Sequence, residues 1–297
     1  MNKDTFSTYH PLVNFLFFSL VLAFTMFLMH PVTLLISLGS SLAYAISLNG
    51  KKAVRFSLLY MLPMMLMAAI LNPAFNHEGI TILTYLPSGN PLTLESILYG
   101  LAAAVMLAGV ITWFSCYNAV MTSDKFVYLF GRIIPALSLV LSMALRFIPR
   151  FKAQFRVVSE AQRCVGRDTS NGALLQRLKN AVTILSIMVT WSLENAIETA
   201  DSMKSRGYGL PGRTAFSIYR FTQRDKAALI WLCFCGFYVL AGIITGGLHW
   251  QYSPIMTGAL TGIFPISFQF VFLALCLTPM ILNGTEDRKW KHLQYET

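Results

Sequence analysis

The sequence predicts an all-α integral membrane protein: about six transmembrane helices with a cytoplasmic insert of long amphipathic helices. Three observations carry that expectation. Only 12% of the residues are charged and 55% are hydrophobic, whereas a soluble domain carries about 25% charged residues; the mean hydropathy is +0.58. Six runs approach the length and apolarity that a bilayer crossing demands. The cations are confined to one side of those crossings.

The six runs are 12–29, 31–48, 54–71, 94–120, 227–246 and 254–282. His30 and Pro31 make a tight turn between the first two, and Arg55 stands at the mouth of the third. Residues 72–91 are too polar and too rich in turn formers to cross. They are expected to form an external loop carrying a short helix or re-entrant piece. With the N-terminus inside, both termini are cytoplasmic. The inner segments and span mouths then hold all 23 Lys and Arg: Lys3, Lys51, Lys52, Arg55, the block from Lys125 to Arg224, Lys226, Arg288, Lys289 and Lys291. The net charge of +10 thus reads as membrane topology rather than as nucleic-acid binding. The N-terminus shows neither a cationic start nor a small-residue cleavage site, so no removable leader is expected. Three domains follow: a four-span membrane domain at 1–120, the cytoplasmic insert at 121–225, and a membrane hairpin with a cytoplasmic tail at 226–297.

Residues 133–147 are apolar but short for a span, and Arg132 and Arg146 flank them. They read as the start of a helix at or just below the cytoplasmic interface, one arm of a re-entrant pair being the alternative. The next residues are amphipathic. Phe147, Phe151, Phe155 and Val158 recur every three or four residues, opposite Lys152, Arg156, Glu160, Arg163 and Arg167. Gly166 and the segment 168–172 break this helix. A second helix starts near Ala173. Its apolar stripe is Leu185, Val189, Leu193, Ala196, Ala200 and Met203, opposite Thr190, Glu194, Glu198, Asp201 and Ser205. The small Ala196 and Ala200 admit a close-packed neighbour. Gly207 suits a left-handed C-terminal cap, and Pro211 prevents a restart. Arg206 therefore ends a long helix just before a sharp turn. It either complements the helix dipole and reaches toward lipid headgroups, or it plugs an acidic groove on a soluble partner through its planar, multi-donor fork.

The five cysteines lack metal-type spacing with histidine and read as small hydrophobes. His10, His30, His77, His249 and His292 are scattered over span ends and loops. No phosphate-binding G-x-x-x-x-G-K-[ST] loop occurs. The chain is therefore expected to be non-catalytic, with no cofactor and no metal. An interfacial enzyme built on Glu194, Glu198 and Asp201 is the weaker reading, since a solvated face explains them. A self-contained secondary transporter or channel is the main alternative. It calls for charges or broken helices at the midplane, and no charged residue lies deep in the expected spans.

SMKSRGYG (202–209) resembles the second signature of the transmembrane T component of energy-coupling factor (ECF) transporters, the EcfT/CbiQ family. NPAFNHEGITILTYLPSGNPLTLESILYGL (72–101) resembles that family's external loop and next span. RFIPRFKAQFRVVSEAQRCVG (146–166) resembles its first coupling helix. The resemblance implies an ECF-type ABC importer in a bacterial inner membrane that takes up a vitamin or a transition-metal ion. The T component would join two cytoplasmic ABC-type ATPase subunits to a small membrane substrate-binding S component, with no nucleic acid involved. It implies docking of the ATPases at Ser205, Arg206 and Gly207 and at Arg163, Cys164, Val165 and Gly166, with Glu160, Gln162, Glu194, Glu198 and Met203 on the coupling helices. The first motif departs from the family pattern, because Val165 stands where its arginine falls. Either Arg163 or Arg167 substitutes for it, or that contact is apolar.

Overall fold

The computed structural model describes residues 4–76, 78–85, 91–131, 134–167, 173–208, 210, 219–258 and 262–295. Lys3, His77, Arg132, the expected break at 168–172 and Pro211 lie outside these residues. In chain order the elements are α1 (Pro11–Phe27), α2 (Pro31–Asn49), α3 (Lys51–Phe56), α4 (Leu62–Phe75), β1 (Ile82–Tyr85), β2 (Pro91–Thr93), α5 (Leu94–Val120), α6 (Ser123–Gly131), α7 (Pro135–Cys164), α8 (Leu174–Ser205), α9 (Gln223–Ile244), β3 (Trp250–Gln251), β4 (Thr257–Gly258) and α10 (Ile263–Tyr295). The chain forms two units. One is Met1–Lys125 with Tyr219–Thr297, and the other is Phe126–Ile218.

The first unit holds the membrane helices. Among the described residues five helices are long and apolar enough to span: Pro31–Asn49, Lys51–Phe75, Leu94–Val120, Gln223–Ile244 and Ile263–Glu286, while α1 is apolar but shorter. The first two helices start alike. His10 and His30 each accept the N–H two residues on through Nδ1, at 3.3 Å, and a proline follows at the first helical position. The side chain satisfies an orphan donor, and proline lacks the N–H that would be unpaired there. At the centre, Phe6, Phe17, Phe18 and Trp113 pack edge to face. Trp113 Nε1 donates to Ser37 Oγ at 3.0 Å, and Ser37 shares a 2.6 Å bond with Thr25. In a bilayer interior such groups must find partners inside the protein.

Three expectations about this unit need correcting. The third span is longer than 54–71, and Ser57–Met61 within it forms a π-helical turn. Pro63 follows; it has no N–H to return to Leu59, and the wider turn absorbs the mismatch. The 72–91 loop carries no short helix or re-entrant piece among its described residues beyond the end of α4. Instead β1 and β2 pair antiparallel, Ile82 with Thr93 and Tyr85 with Pro91, because ILTY is a run of strand formers. Glu95 ties the hairpin to α5 by accepting from Thr81 Oγ1 at 2.7 Å. The last span starts at Ile263 rather than 254, because β3 and β4 occupy the preceding residues.

In the second unit the segment after Pro135 and the amphipathic stretch are one unbroken helix, α7. It runs antiparallel to α8 where they touch, through Val158, Ile184, Met188 and Trp191. Phe151 meets the Trp191 ring at 6.2 Å, and the Arg150 guanidinium lies 5.7 Å from that ring's centroid. The face of α8 that meets α7 is not the stripe the spacing singles out. Leu185, Val189, Leu193, Ala196 and Ala200 are exposed and Met203 is half-buried, while Asn180, Ile184, Met188 and Asn195 are buried. From Leu174 to Leu193 the helix is apolar on most of its circumference, so two adjacent stripes compete. Trp191 decides, bringing the larger apolar area and a cation–π partner. On α7, Val158 is buried, but Phe151 and Phe155 stay exposed.

Candidate functional site: the ends of two long helices

Both α7 and α8 stop on the same backbone device. At the end of α7, Val165 sits at φ −89°, ψ 8° and Gly166 turns left-handed at φ +78°. Gly166 N–H bonds Arg163 O at 3.0 Å and Arg167 N–H bonds Gln162 O at 2.9 Å. At the end of α8, Arg206 sits at φ −83°, ψ 8° and Gly207 at φ +75°. Gly207 N–H bonds Lys204 O at 2.9 Å and Tyr208 N–H bonds Met203 O at 2.9 Å. In each case two carbonyls orphaned by the helix end are satisfied by amides around a left-handed glycine. A side chain other than glycine is strained there.

The shared geometry sets the residues in register. Gln162 corresponds to Met203, Arg163 to Lys204, Cys164 to Ser205, Val165 to Arg206, Gly166 to Gly207 and Arg167 to Tyr208. Each tip thus displays a cation one turn from its end. They differ at the cap itself, which is valine in one and arginine in the other. Val165 is 70% exposed, and Arg206 is exposed as well. Arg163, Cys164 and Gly166 face solvent, and Ser205 turns its hydroxyl back to Ser202 O at 2.9 Å. Gln162 is half-buried with an Oε1 that finds no partner among the described residues.

The two tips are not brought together. α7 continues about 9 Å past Val158 and α8 about 21 Å past Trp191 at 1.5 Å per residue, in opposite senses from their contact. Glu160 is exposed on α7; Glu194 and Glu198 are exposed on α8 between the contact and its tip. Lys204 and Tyr208 belong to the second tip beside the expected Ser205, Arg206 and Gly207. The signal was available: once Gly207 is read as the cap, the residue after it and the residue three before it are fixed in position.

Among the described residues no group of three His, Cys, Asp or Glu is placed to hold a metal. A rigid helix end presents one side chain forward of a fixed turn, with cations just behind it.

Residues 5–216 match the family described as cobalt transport protein, CbiQ. Among similar proteins is an energy-coupling factor transporter transmembrane protein EcfT of Bacillus selenitireducens, 29% identical over 228 residues, which are 73% of this chain and 83% of that one. The corresponding protein of Lactobacillus helveticus is 34% identical over 112 residues, 37% of this chain and 39% of its own. That of Lacticaseibacillus paracasei is 36% identical over 112 residues, 37% of this chain and 40% of its own. The match to these last two therefore spans about two-fifths of their length.

Proposed function

The chain belongs to the CbiQ family of cobalt transport proteins, and from that membership we propose that it is the transmembrane coupling subunit of an ECF-type ABC importer. It joins two cytoplasmic ATPases to a substrate-binding membrane S component for uptake of a vitamin or a transition-metal ion. The observation that carries this reading is the pair of matching helix ends, each a rigid handle with an exposed side chain at its cap. Each tip enters a groove on one ATPase, as an amphipathic helix enters an apolar cleft. Arg206 meets a carboxylate there, its guanidinium giving two parallel hydrogen bonds. ATP binding draws the ATPases together, their grooves carry the tips, and α7 and α8 shift about the contact at Trp191. The shift moves the S component. Coupling between such sites is worth about 1–3 kcal/mol each. The distribution of lysines and arginines supports a topology with both termini and the second unit cytoplasmic, in a chain that is multi-pass in a bacterial inner membrane. The chain hydrolyses nothing itself; the chemistry belongs to the ATPases.

Arg206→Glu is the test. The variant inserts into the membrane, fails to retain one ATPase in mild detergent, and supports no uptake. Normal uptake with normal ATPase co-purification would overturn the reading.

A further inference from the structure

The chain leaves the membrane unit after Lys125 and returns to it at Tyr219. Both joints are fastened to one short segment, residues 4–10. At the first joint the Lys125 side chain is 6% exposed. Its Nζ donates to Ser7 O and, at 3.0 Å, to Val120 O at the end of α5. With the Asn14 amide turned so that both its ends are satisfied, Asn14 Oδ1 accepts from Lys125 Nζ at 2.9 Å while its nitrogen donates to Phe6 O at 3.0 Å. All three ammonium hydrogens thus have acceptors, and none of these is a carboxylate. Burial holds the Lys125 pKa below the usual lysine range, with the charge of Asp4 opposing.

At the second joint Asp225 Oδ1 accepts from His10 N at 3.0 Å, and its Oδ2 takes Thr222 N–H and Oγ1–H at 2.8 and 2.6 Å, closing the start of α9. Arg224 lies 4.3 Å over the Tyr9 ring, reaches Thr8 Oγ1 at 3.3 Å and pairs with Glu286 at 3.4 Å. Tyr219 stands beside Thr122 and Asp124, so the two joints also face each other directly. The segment is itself held down. Asp4 accepts from Asn283 Nδ2 and, at 3.1 Å, from Tyr44 OH, while Phe6 N–H bonds Asn283 Oδ1 at 2.9 Å. Phe6 is fully buried.

A buried lysine facing only neutral acceptors is costly, and a well-packed methionine would often be as stable. A group kept at such a cost fixes a geometry. We propose that residues 4–10 form a clasp that makes the two joints one mechanical part, with Asp4, Lys125 and Asp225 as its positioning residues. Movement of the second unit then reaches α5, α9 and α10 together instead of being lost at a loose hinge. This rests on the coupling reading for its purpose, but its test does not.

The test is hydrogen–deuterium exchange on the full chain in lipid nanodiscs, comparing the wild type with Asp4→Ala, which removes no hydrogen-bonding group of either joint. Amides at 120–126 and at 219–226 should exchange about 10-fold faster in the variant, both together, while α2 stays protected. Deletion of residues 2–9 should do the same more strongly. Should either variant fail to insert, Lys125→Met carries the test: it should loosen 219–226 as well as its own joint, and Lys125→Arg should restore both. Loosening of one joint alone, or of neither, overturns the clasp. If both joints respond together but no ATPase co-purifies with the wild type, the clasp stands and the coupling reading falls.

Discussion

The end of α7 and the end of α8 are backbone twins with different faces. Dihedral angles at the cap agree within a few degrees and the same two carbonyls are closed by the same two amides. Yet one tip shows valine where the other shows arginine. The difference separates two jobs that a helix end performs at once. Glycine and its hydrogen bonds fix where the tip points; the cap side chain fixes what it will hold. Two partners offering identical grooves would not see identical tips, because the charge sits at different places: Val165 corresponds to Arg206 at the cap and Arg167 to Tyr208 after the glycine.

Making the tips alike breaks the comparison most severely. Arg206→Val should cost about 2–5 kcal/mol of ATPase docking at the second tip, the range for truncating one partner of a buried charge pair, read as the loss of one ATPase in co-purification. Truncations at the first tip sharpen the comparison. Val165→Ala should cost less than about 1.5 kcal/mol, and Arg163→Ala more, if the neighbouring cation serves the first tip; binding titrations on the two variants separate these. Next come the glycines. Gly207→Ala and Gly166→Ala should each cost about 1–2 kcal/mol of cap stability for the left-handed conformation. Gly207→Ala should be the worse, since a Cβ there meets Leu210 Cδ1 at 2.9 Å while none of the described residues lies within 4 Å of one at Gly166. Exchange at the Tyr208 and Arg167 amides measures both. The smallest effect lies away from the tips. Burial lowers the His10 pKa, with Asp225 opposing. Neutral His10 caps α1, so its contribution is present above the ordinary imidazole value of about 6.5 and is lost as the pH falls through the lowered one. The protection factor at the Leu12 amide, corrected for the intrinsic pH dependence of exchange, should fall in acid and stay flat in His10→Asn.

The tips were legible because a helix end is a local event. R-G and V-G after an amphipathic run specify the turn, and nothing distant needs to agree. The spans were legible for a similar reason, since apolarity over about 20 residues is decided by the run itself. The face of α8 that packs was not. Leu185 and Ile184 are one residue apart and equally greasy; only the partner helix, through Phe151 and Arg150, distinguishes them. The ILTY hairpin hid in a loop dense with glycine, proline and asparagine. The roles of Lys125 and Asp225 were not legible, because Lys125 donates to Ser7 O and Asp225 accepts from His10 N–H, partners more than a hundred and two hundred residues away in sequence.

Gly100 on α5 remains to be weighed. A Cβ there would stand 2.9 Å from the Cβ of Asn72, 3.2 Å from Ala69 O and 3.3 Å from Pro73. Gly100 is thus a notch in the trunk of the membrane unit, and the peripheral span Lys51–Phe75, with only 6% of its apolar window buried, leans into it. One added methyl would wedge that span outward at the end from which the β1–β2 hairpin hangs, so the seating of the whole span turns on a single missing carbon of its neighbour.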